Sequence, residues 1–296
     1  MKVAITGASG LIGSALVDAL RARGDTPVRI VRTDGDGIRW DPARGTIDVA
    51  ALEGVDAIVN LAGEGIAEKK WTPEQKQRIR DSRVQGTTLL ATTLAEMAHA
   101  PKVFVSSSAI GWYGNRGDET LTEDSGPPSP DDFLANVCRE WELATAPAEA
   151  AGIRTVHLRT GIVLSRSGGA LASMLTPFKL GLGGRLGSGR QYLSWIAIDD
   201  EVGAILHAID TEKLSGPVNA TAPNPVTNKE FTKTLGKVLH RPTLLPTPLT
   251  PLKLKFGSEL VQSLLVDGQR VLPTRLESSG YAFRHTTLEP ALRDLV

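Results

Sequence analysis

Short apolar runs alternate with amphipathic stretches along the first half of the chain. Ile12, Leu16 and Leu20 recur at helical spacing on one face of a segment that ends at Gly24. Strands buried on both faces of a parallel sheet are nearly continuously apolar, and such runs occupy residues 3–5, 28–31, 57–61, 103–105 and 155–158. This alternation predicts βαβ units around a parallel sheet.

Two longer helices are indicated by their boundary residues. Thr72, Pro73 and Gln75 combine an N-cap residue, a proline at the first helical position and a glutamine at the third, so a long helix should begin there. A second helix is expected over residues 135–151, with Gly152 ending it.

The pattern changes after residue 164. Glycines crowd residues 181–189, which predicts a loop, because glycine loses too much backbone entropy in a helix or strand. Four prolines fall in residues 242–251, which predicts an extended connection. We therefore expect an α/β fold, a Rossmann-type doubly wound parallel sheet with a smaller C-terminal substrate-side subdomain. The expected boundaries are residues 1–164 plus 192–222 for the Rossmann domain and 165–191 plus 223–296 for the smaller domain.

Composition excludes several classes of partner. Among 296 residues, 33 basic residues balance 33 acidic ones, so neither nucleic acid nor an anionic membrane is expected as a partner. Cys138 is the only cysteine, which excludes an intramolecular disulfide. The first apolar run is far shorter than a signal-sequence core or a membrane span, and we expect a cytoplasmic protein.

A glycine-rich turn lies directly after the first predicted strand and opens the first predicted helix. Glycines at this position permit a sharp turn and a close approach of backbone amides to a pyrophosphate, while the helix N-terminus contributes partial positive charge. The alternative is a tight turn that merely needs positive φ. Because a strand precedes it, a helix follows and a second strand comes next, we predict a dinucleotide site formed by Gly7, Ser9, Gly10, Leu11, Ile12 and Gly13.

The end of the second strand indicates which dinucleotide is bound. Arg32 stands where an acidic residue commonly accepts hydrogen bonds from the adenosine ribose of NAD, and an arginine can instead pair with a 2′-phosphate. This favours NADP(H) over NAD(H). The alternative is a solvated Arg32 with Asp34 at the ribose.

These residues, with others further along, resemble the extended short-chain dehydrogenase/reductases. More narrowly, the chain is similar to the atypical branch called the NAD-dependent epimerase/dehydratase family, whose members carry a small C-terminal domain of unknown function. The motifs that carry the resemblance are Asn60-Leu61-Ala62-Gly63, Ser106-Ser107-Ser108-Ala109, Tyr113-Gly114, Thr122-Glu123-Asp124, Trp40-Asp41-Pro42, the segment 82–87, Ser194-Trp195-Ile196 with Asp199-Asp200, and Gly268-Gln269-Arg270-Val271. The resemblance covers essentially the whole chain. It departs at Ala197, where many relatives have a histidine.

The resemblance implies further cofactor contacts around the turns that follow the later strands. Glu64 and Arg83 should face the cofactor side, and the stretch after the strand at 155–158 should flank the nicotinamide carboxamide. The implied residues are Leu61, Ala62, Gly63, Glu64, Arg83, Ser106, Thr160, Gly161 and Val163. Ordinary strand-end packing is the alternative for the stretch at 160–163.

The usual proton-transfer pair of this family is missing. Short-chain reductases use a tyrosine whose pKa is lowered by a lysine four residues later, but Tyr113, Tyr192 and Tyr281 are followed at that distance by glycine, isoleucine and histidine. By resemblance the pair should fall in residues 133–138. The remaining catalytic candidates are Ser108 and Tyr113, although an aromatic pair of Trp112 and Tyr113 in the core is an alternative.

A substrate pocket is expected beside the glycine-rich loop. Arginines and an aromatic ring there are suited to an anionic or sugar-like group, although solvated loop charges are an equal alternative. The residues are Arg185, Arg190, Gln191 and Trp195. Asp199 and Asp200, the latter with Glu201, are expected to cap a helix and to place negative charge at its start. Cys138 is expected to be inert packing. The five histidines lack metal-ligand spacing, so no metal is expected.

Three functions are compatible with these observations. The first is an NADP(H)-dependent oxidoreductase that acts on an unidentified small molecule and could form a homodimer. The second is a regulatory or redox-sensing protein that binds NADP(H) without turning it over. The third is a sugar-nucleotide epimerase, which the missing acid–base residues disfavour most, because it must return a hydride and a proton to the same carbon.

Overall fold

A mostly parallel eight-stranded sheet forms the centre of the protein in the computed structural model, which describes residues 1–33, 35–128 and 132–296. The strands are β1 Lys2–Thr6, β2 Thr26–Val31, β3 Ile38–Asp41, β4 Thr46–Ile47, β5 Ala57–Asn60, β6 Val103–Ala109, β7 Thr120–Leu121, β8 Arg154–Thr160, β9 Ile162–Ser165, β10 Tyr192–Leu193, β11 Trp195–Ala197, β12 Gly216–Ala220, β13 Val226–Thr227 and β14 Arg270–Val271. The sheet order is β12-β8-β6-β5-β1-β2-β3-β4, and only the edge strand β4 pairs antiparallel. This confirms the predicted Rossmann-type α/β fold.

Helices cover both faces of the sheet and build the C-terminal part of the chain. They are α1 Leu11–Ala22, α2 Val49–Leu52, α3 Pro73–Glu96, α4 Phe133–Leu143, α5 Ala146–Ala150, α6 Gly169–Lys179, α7 Ile198–Asp210, α8 Asn228–Val238, α9 Leu249–Phe256, α10 Ser258–Val261, α11 Thr274–Ser278 and α12 Leu288–Leu295. A 3-10 helix occupies Ile110–Tyr113 and a π-helix occupies Gln262–Val266.

The alternation of side chains along each strand divides the sheet core in two. Val3 and Ile5 pack with α1 and α7 on one face, whereas Ala4, between them, packs with α3 and α5 on the other. Both faces are therefore buried, which explains why β1 is apolar at every interior position. A third apolar core lies among α6, α8 and α12.

Two predicted segments of secondary structure differ from the structure. The helix expected over 135–151 is broken into α4 and α5, because Pro147 has no amide hydrogen to continue the ladder and the Thr145 hydroxyl donates to the Glu142 carbonyl oxygen at 2.7 Å. The connection expected over 242–251 is extended only as far as Pro248, since α9 begins at Leu249 and tolerates Pro251 in its first turn.

The predicted acidic residues Asp199, Asp200 and Glu201 lie in the first turn of α7 and so place negative charge at the start of the helix, but they do not cap it. Ala197 is the N-cap, and the Asp200 carboxylate instead accepts hydrogen bonds from the amides of Arg284 at 2.7 Å and His285 at 2.9 Å. Asp199 forms an ion pair with Arg284 at 2.7 Å. Asp200 thus attaches the C-terminal segment to the Rossmann domain, a long-range contact with no local sequence signal.

A helix that crosses a membrane needs about 20 consecutive, mostly apolar residues. Within the three described ranges, no helix is both long enough and apolar enough to cross a membrane.

Candidate functional site

The turn between β1 and α1 leaves no room for side chains at two of its glycines. Gly7 has φ +66°, and a Cβ there would lie 2.9 Å from the carbonyl carbon of Leu61. A Cβ on Gly13 would lie 2.2 Å from the Gly7 carbonyl oxygen, with which the Gly10 amide forms a 2.9 Å hydrogen bond. The chain therefore passes close to the neighbouring β5 turn, as a phosphate-binding cradle requires.

The electrostatics of this cradle suit an anion. α1 begins at Leu11, its first turn reads Leu-Ile-Gly-Ser without an acidic residue, and the N-cap Gly10 has no side chain to occupy the first amides. Ser9 and Gly10 are exposed, while Leu11 and Ile12 are half-buried. The free amides and the positive end of the helix dipole can bind a pyrophosphate. The residues of the cradle therefore fit a dinucleotide.

A buried hydrogen-bond network holds the β5 turn against the cradle. The Thr6 hydroxyl donates to Asn60 Oδ1 at 2.7 Å and accepts from the amides of Leu61 and Ala62 at 3.0 and 3.1 Å. Asn60 Nδ2 in turn donates to the Thr87 hydroxyl of α3 at 2.8 Å. Ser106 is buried at the edge of this network, 3.5 Å from Asn60 Nδ2. Thr6 and Thr87 were not predicted. Thr6 could have been found as a polar residue at the end of an apolar strand, whereas Thr87 lies inside α3.

Arg83 supports the same turn from α3. Its Nη1 donates to the carbonyl oxygens of Glu64 at 3.0 Å and Ile79 at 2.9 Å. A Cβ on Gly63 would lie 3.1 Å from the guanidinium carbon, so glycine is needed there for this approach. Burial lowers the pKa of Arg83, and its guanidinium lies 5.0 Å from the ring of Trp141. Arg83 therefore positions the Gly63–Glu64 backbone beside the cradle.

An open groove of about 420 Å³ lies between the end of β2, the β5 turn and α3. Its walls come from β2, the β5 turn and the first half of α3, and it is lined by Arg32, Glu64, Glu74, Gln77, Arg78, Asp81, Ser82 and Gln85. Arg32 is exposed, and its position at the strand end agrees with its predicted role beside an adenosine ribose. Asp34, the alternative ribose partner, lies outside the described residues.

Ser108 and Tyr113, the catalytic candidates, lie in a buried charged cluster. The Ser108 hydroxyl donates to Glu142 Oε1 at 2.7 Å, and Arg159 forms two 2.8 Å hydrogen bonds with the same carboxylate. The Tyr113 hydroxyl accepts from Arg159 Nη1 at 3.0 Å and donates to Asn219 Oδ1 at 2.7 Å. Tyr113 is fully buried, and burial raises its pKa. These bonds favour the packing alternative for Tyr113.

The segment where the family's tyrosine and lysine would be expected is apolar. The Phe133 ring lies edge-on to Trp71 at 5.2 Å. Cys138 is buried, and burial raises the pKa of its thiol to about 12. A thiol with that pKa is protonated and unreactive near neutral pH. The segment therefore supplies no acid that could take the role of the missing pair.

The stretch after β8 lies at the carboxyl edge of the sheet, the same edge as the cradle and three strands away from β1. The Gly161 amide bonds to the Ala220 carbonyl oxygen at 3.0 Å, and a Cβ on Gly161 would lie 2.4 Å from the Ser194 carbonyl oxygen. The Thr160 hydroxyl donates to Glu201 Oε1 at 2.7 Å, and Val163 continues into β9. Glu201 is completely buried, its Oε2 has no hydrogen-bond partner in the described chain, and burial raises its pKa to about 8.

The four predicted substrate-pocket residues separate in the structure. Arg185 Nη1 donates to the carbonyl oxygens of Gly187 and Ser188 in its own loop, at 2.7 and 3.1 Å, and Arg190 is exposed. Trp195 is fully buried in the C-terminal core and donates to the Asn224 carbonyl oxygen at 3.1 Å, so its ring packs instead of lining a pocket. Gln191 alone keeps an unsatisfied polar atom, Oε1, when partners are sought in the described ranges.

A metal site needs several histidine, cysteine, aspartate or glutamate side chains that converge on one point. Among the residues that the structure places, no group of three or more is arranged to hold a metal ion.

Comparison with known proteins gives consistent matches over nearly the whole chain. The NAD dependent epimerase/dehydratase family model matches residues 3–220, and a domain of unknown function (DUF1731) matches residues 247–295. The chain is 46% identical to epimerase family protein Mb2239 of Mycobacterium bovis, over 98% of this chain and 96% of that protein. It is 37% identical to epimerase family protein YfhF of Bacillus subtilis, over 100% and 98%.

Two solved structures match this chain at 35% identity or more. The human epimerase family protein SDR39U1 (isoform 2), crystallised with NADPH, has a TM-score of 0.92 and 35% identity over 100% of this chain and 99% of that chain. A nucleoside-diphosphate sugar epimerase from Corynebacterium glutamicum has a TM-score of 0.83 and 38% identity, over 100% of this chain and 58% of that chain.

Proposed function

Because the chain belongs to the NAD-dependent epimerase/dehydratase family, we propose that it binds NADP(H) and acts as an oxidoreductase on a small molecule. The observation that carries this proposal is the glycine cradle, in which Gly7 and Gly13 admit no side chain and α1 presents free amides. A bound nicotinamide would supply or accept a hydride, which is chemistry that no amino-acid side chain provides.

The choice of NADP(H) rests on Arg32. Arg32 lines the open groove at the end of β2, where a guanidinium can form charge-assisted hydrogen bonds with a 2′-phosphate. The human relative crystallised with NADPH supports this choice.

The other named residues would bind and orient the cofactor. Thr6 and Asn60 hold the amides of Leu61 and Ala62 in place, and Arg83 fixes the backbone at Gly63 and Glu64. Gly161 allows the chain after β8, which should flank the nicotinamide, to pack directly on the Ser194 backbone. None of these residues is a proton donor.

A binding protein without turnover is the second candidate. The hydroxyls of Ser108 and Tyr113 form hydrogen bonds within the buried cluster, and the Cys138 thiol is held protonated. Under the first proposal, NADPH-saturated protein should oxidise its NADPH with a member of a broad panel of aldehydes, ketones and enones. A panel without turnover, together with tight NADPH binding, would support the binding protein. If the protein is a sugar-nucleotide epimerase, a UDP- or GDP-sugar should bind it and raise its melting temperature.

The cradle itself is tested by Gly13→Ala. The added Cβ would meet the Gly7 carbonyl oxygen, so the turn must shift and the NADPH Kd from calorimetry should rise roughly tenfold or more. Gly126→Ala is the matched control, since a Cβ there would meet no described atom within 4 Å, and its Kd should be unchanged. If wild-type protein that is folded by circular dichroism takes up neither NADPH nor NADH, the proposed function is wrong.

Arg32→Asp tests the choice of cofactor. The change replaces attraction to the 2′-phosphate by repulsion, so NADPH binding should weaken by about 2 kcal/mol, roughly thirtyfold in Kd, while NADH binding changes little. Calorimetry with both nucleotides measures the difference. Arg44→Asp makes the same change of net charge at a side chain that is 84% exposed, and it should leave both affinities intact. Equal losses of NADPH and NADH affinity in Arg32→Asp would contradict the assignment.

A further inference from the structure

Exposed leucines lie on two adjoining segments of the C-terminal half of the chain. Leu180 and Leu182 follow α6, and Leu244 and Leu245 precede α9. Each of these side chains is 70–90% exposed. Soluble proteins rarely leave several large apolar side chains together in water, and a surface that does so usually contacts a partner. We call these four residues the leucine patch.

Contacts between main chains hold the two segments side by side. Arg241 Nε donates to the Lys179 carbonyl oxygen at 2.7 Å, which joins the segments next to Leu180. Gly184 packs so closely on the Leu245 carbonyl oxygen that a Cβ would not fit there. Both contacts lie within three residues of leucines on each segment, so the leucine patch is one continuous surface.

Prolines and a hydrogen bond reduce the number of free amide hydrogens next to the leucine patch. Pro242, Pro246 and Pro248 have no amide hydrogen. The Thr247 amide donates to the Arg185 carbonyl oxygen at 2.9 Å. A free amide hydrogen is costly to bring into an apolar phase, so this backbone can approach such a phase more cheaply than an ordinary loop.

Cations without carboxylates accompany the leucine patch. The whole chain has 33 basic and 33 acidic residues, but residues 150–198 and 231–258 contain no aspartate or glutamate. α9 is exposed or half-buried at every residue. Exposed cations on these segments include Lys179, Arg185, Arg241, Lys253 and Lys255. The expectation that no anionic membrane binds rests on the balance of charge over the whole chain, and these segments do not share that balance.

We propose that the leucine patch docks this protein onto the surface of an anionic lipid bilayer. The leucine side chains would insert among the lipid headgroups, and the lysines and arginines beside them would pair with anionic lipids. An apolar surface accompanied by cations has the chemistry that binds such bilayers peripherally. This attachment needs no membrane-spanning helix, and it goes beyond the proposed function because it does not depend on the cofactor.

Two other occupants fit the leucine patch less well. A two-fold contact between two copies of the chain would place identical cations opposite each other. An amphipathic helix of a partner protein normally lies in a groove, whereas the side chains of the leucine patch project into solvent.

Flotation with lipid vesicles tests the proposal on the full-length protein. Wild type should bind vesicles of phosphatidylcholine that contain about a third phosphatidylserine, and raised salt should release it. Leu245→Ser should lower the partition coefficient roughly fivefold, because it removes an apolar side chain from the contact. Leu143→Ser is the matched control. Leu143 is 72% exposed at the end of α4, outside the leucine patch, so this variant should bind like wild type.

A second pair of variants tests the cations. Lys253→Gln/Lys255→Gln should weaken binding to the anionic vesicles roughly tenfold, because both lysines lose their attraction to the lipid charge. Lys69→Gln/Lys70→Gln makes the same change of net charge at two exposed lysines before α3, and it should leave vesicle binding intact.

Circular dichroism and the NADPH Kd of each variant should match those of wild type, which shows that the fold and the cofactor site are intact. The proposal is overturned if wild type does not float with the anionic vesicles, which would leave a partner protein as the occupant. It is also overturned if Leu245→Ser floats as well as wild type. A wild-type dimer in light scattering that Leu245→Ser dissociates, without vesicle binding, would assign the leucine patch to a second copy instead.

Discussion

Replacing Glu142 by methionine should lower the free energy of unfolding by about 3–5 kcal/mol, because it leaves the Arg159 guanidinium buried without its counter-charge. Arg159 is 2% exposed, and both of its strong hydrogen bonds end on the Glu142 carboxylate, at 2.8 Å each. Its remaining bond, to the neutral Tyr113 hydroxyl, cannot compensate the charge. Guanidinium chloride denaturation followed by circular dichroism measures the loss.

Two further variants make this prediction specific. Glu140→Met removes a carboxylate from the same helix that pairs with Arg80 at 2.5 Å, but both side chains are largely solvated, at 39% and 46% exposure, so the cost should be below about 1 kcal/mol. The double variant Glu142→Met/Arg159→Met removes both buried charges and should recover most of the stability. If Glu142→Met and Glu140→Met lower the free energy of unfolding by similarly small amounts, the Arg159–Glu142 pair is solvated and not buried.

The stability of Glu201→Gln relative to wild type should be about 2–4 kcal/mol higher at pH 8 than at pH 4. The reason is that burial holds the wild-type carboxyl protonated in the folded state, whereas the unfolded chain releases this proton at pH 8. The pKa of Glu201 is raised from 4.5 to about 8. Below pH 4.5 the folded and unfolded states are both protonated. Between pH 4.5 and 8 only the unfolded chain releases the proton, so wild-type stability falls as the pH rises through this window. Glutamine keeps the acceptor for Thr160 and cannot ionise.

The measurement is the free energy of unfolding of wild type and variant from pH 4 to 8. Glu230→Gln provides a control of opposite sign, since the hydrogen bonds from the backbone and side chain of Thr227 lower the pKa of Glu230. Its carboxylate stabilises the protein above its ordinary pKa, and that contribution is lost as the pH falls. Glu230→Gln should therefore cost stability at neutral pH and less in acid. Parallel pH curves for wild type and Glu201→Gln would refute a protonated Glu201.

Much of the Rossmann domain was predictable because its signals are local. The glycine spacing at 7, 10 and 13, the apolar run of β1 and the start of α3 at Thr72 all depend on residues within one turn or one strand. The hydroxyl of Thr72 accepts from the Gln75 amide at 3.2 Å, as the N-cap prediction required. The strands β3, β4, β7 and β9 to β14 were not predicted. Six of these nine strands have only two or three residues, too few to show a period.

Sequence alone determined the fold class, the glycine cradle and the absence of a Tyr-x-x-x-Lys pair, because each follows from residue type and short spacing. The tertiary structure decided which polar residues lie together. The Ser108–Glu142 and Arg159–Tyr113 bonds span 34 and 46 residues, and the Ser194–Val271 bond spans 77. Contacts between distant segments depend on how strands and helices pack, so only the fold could show that Trp195 is buried and that Glu201 is buried beneath Thr160.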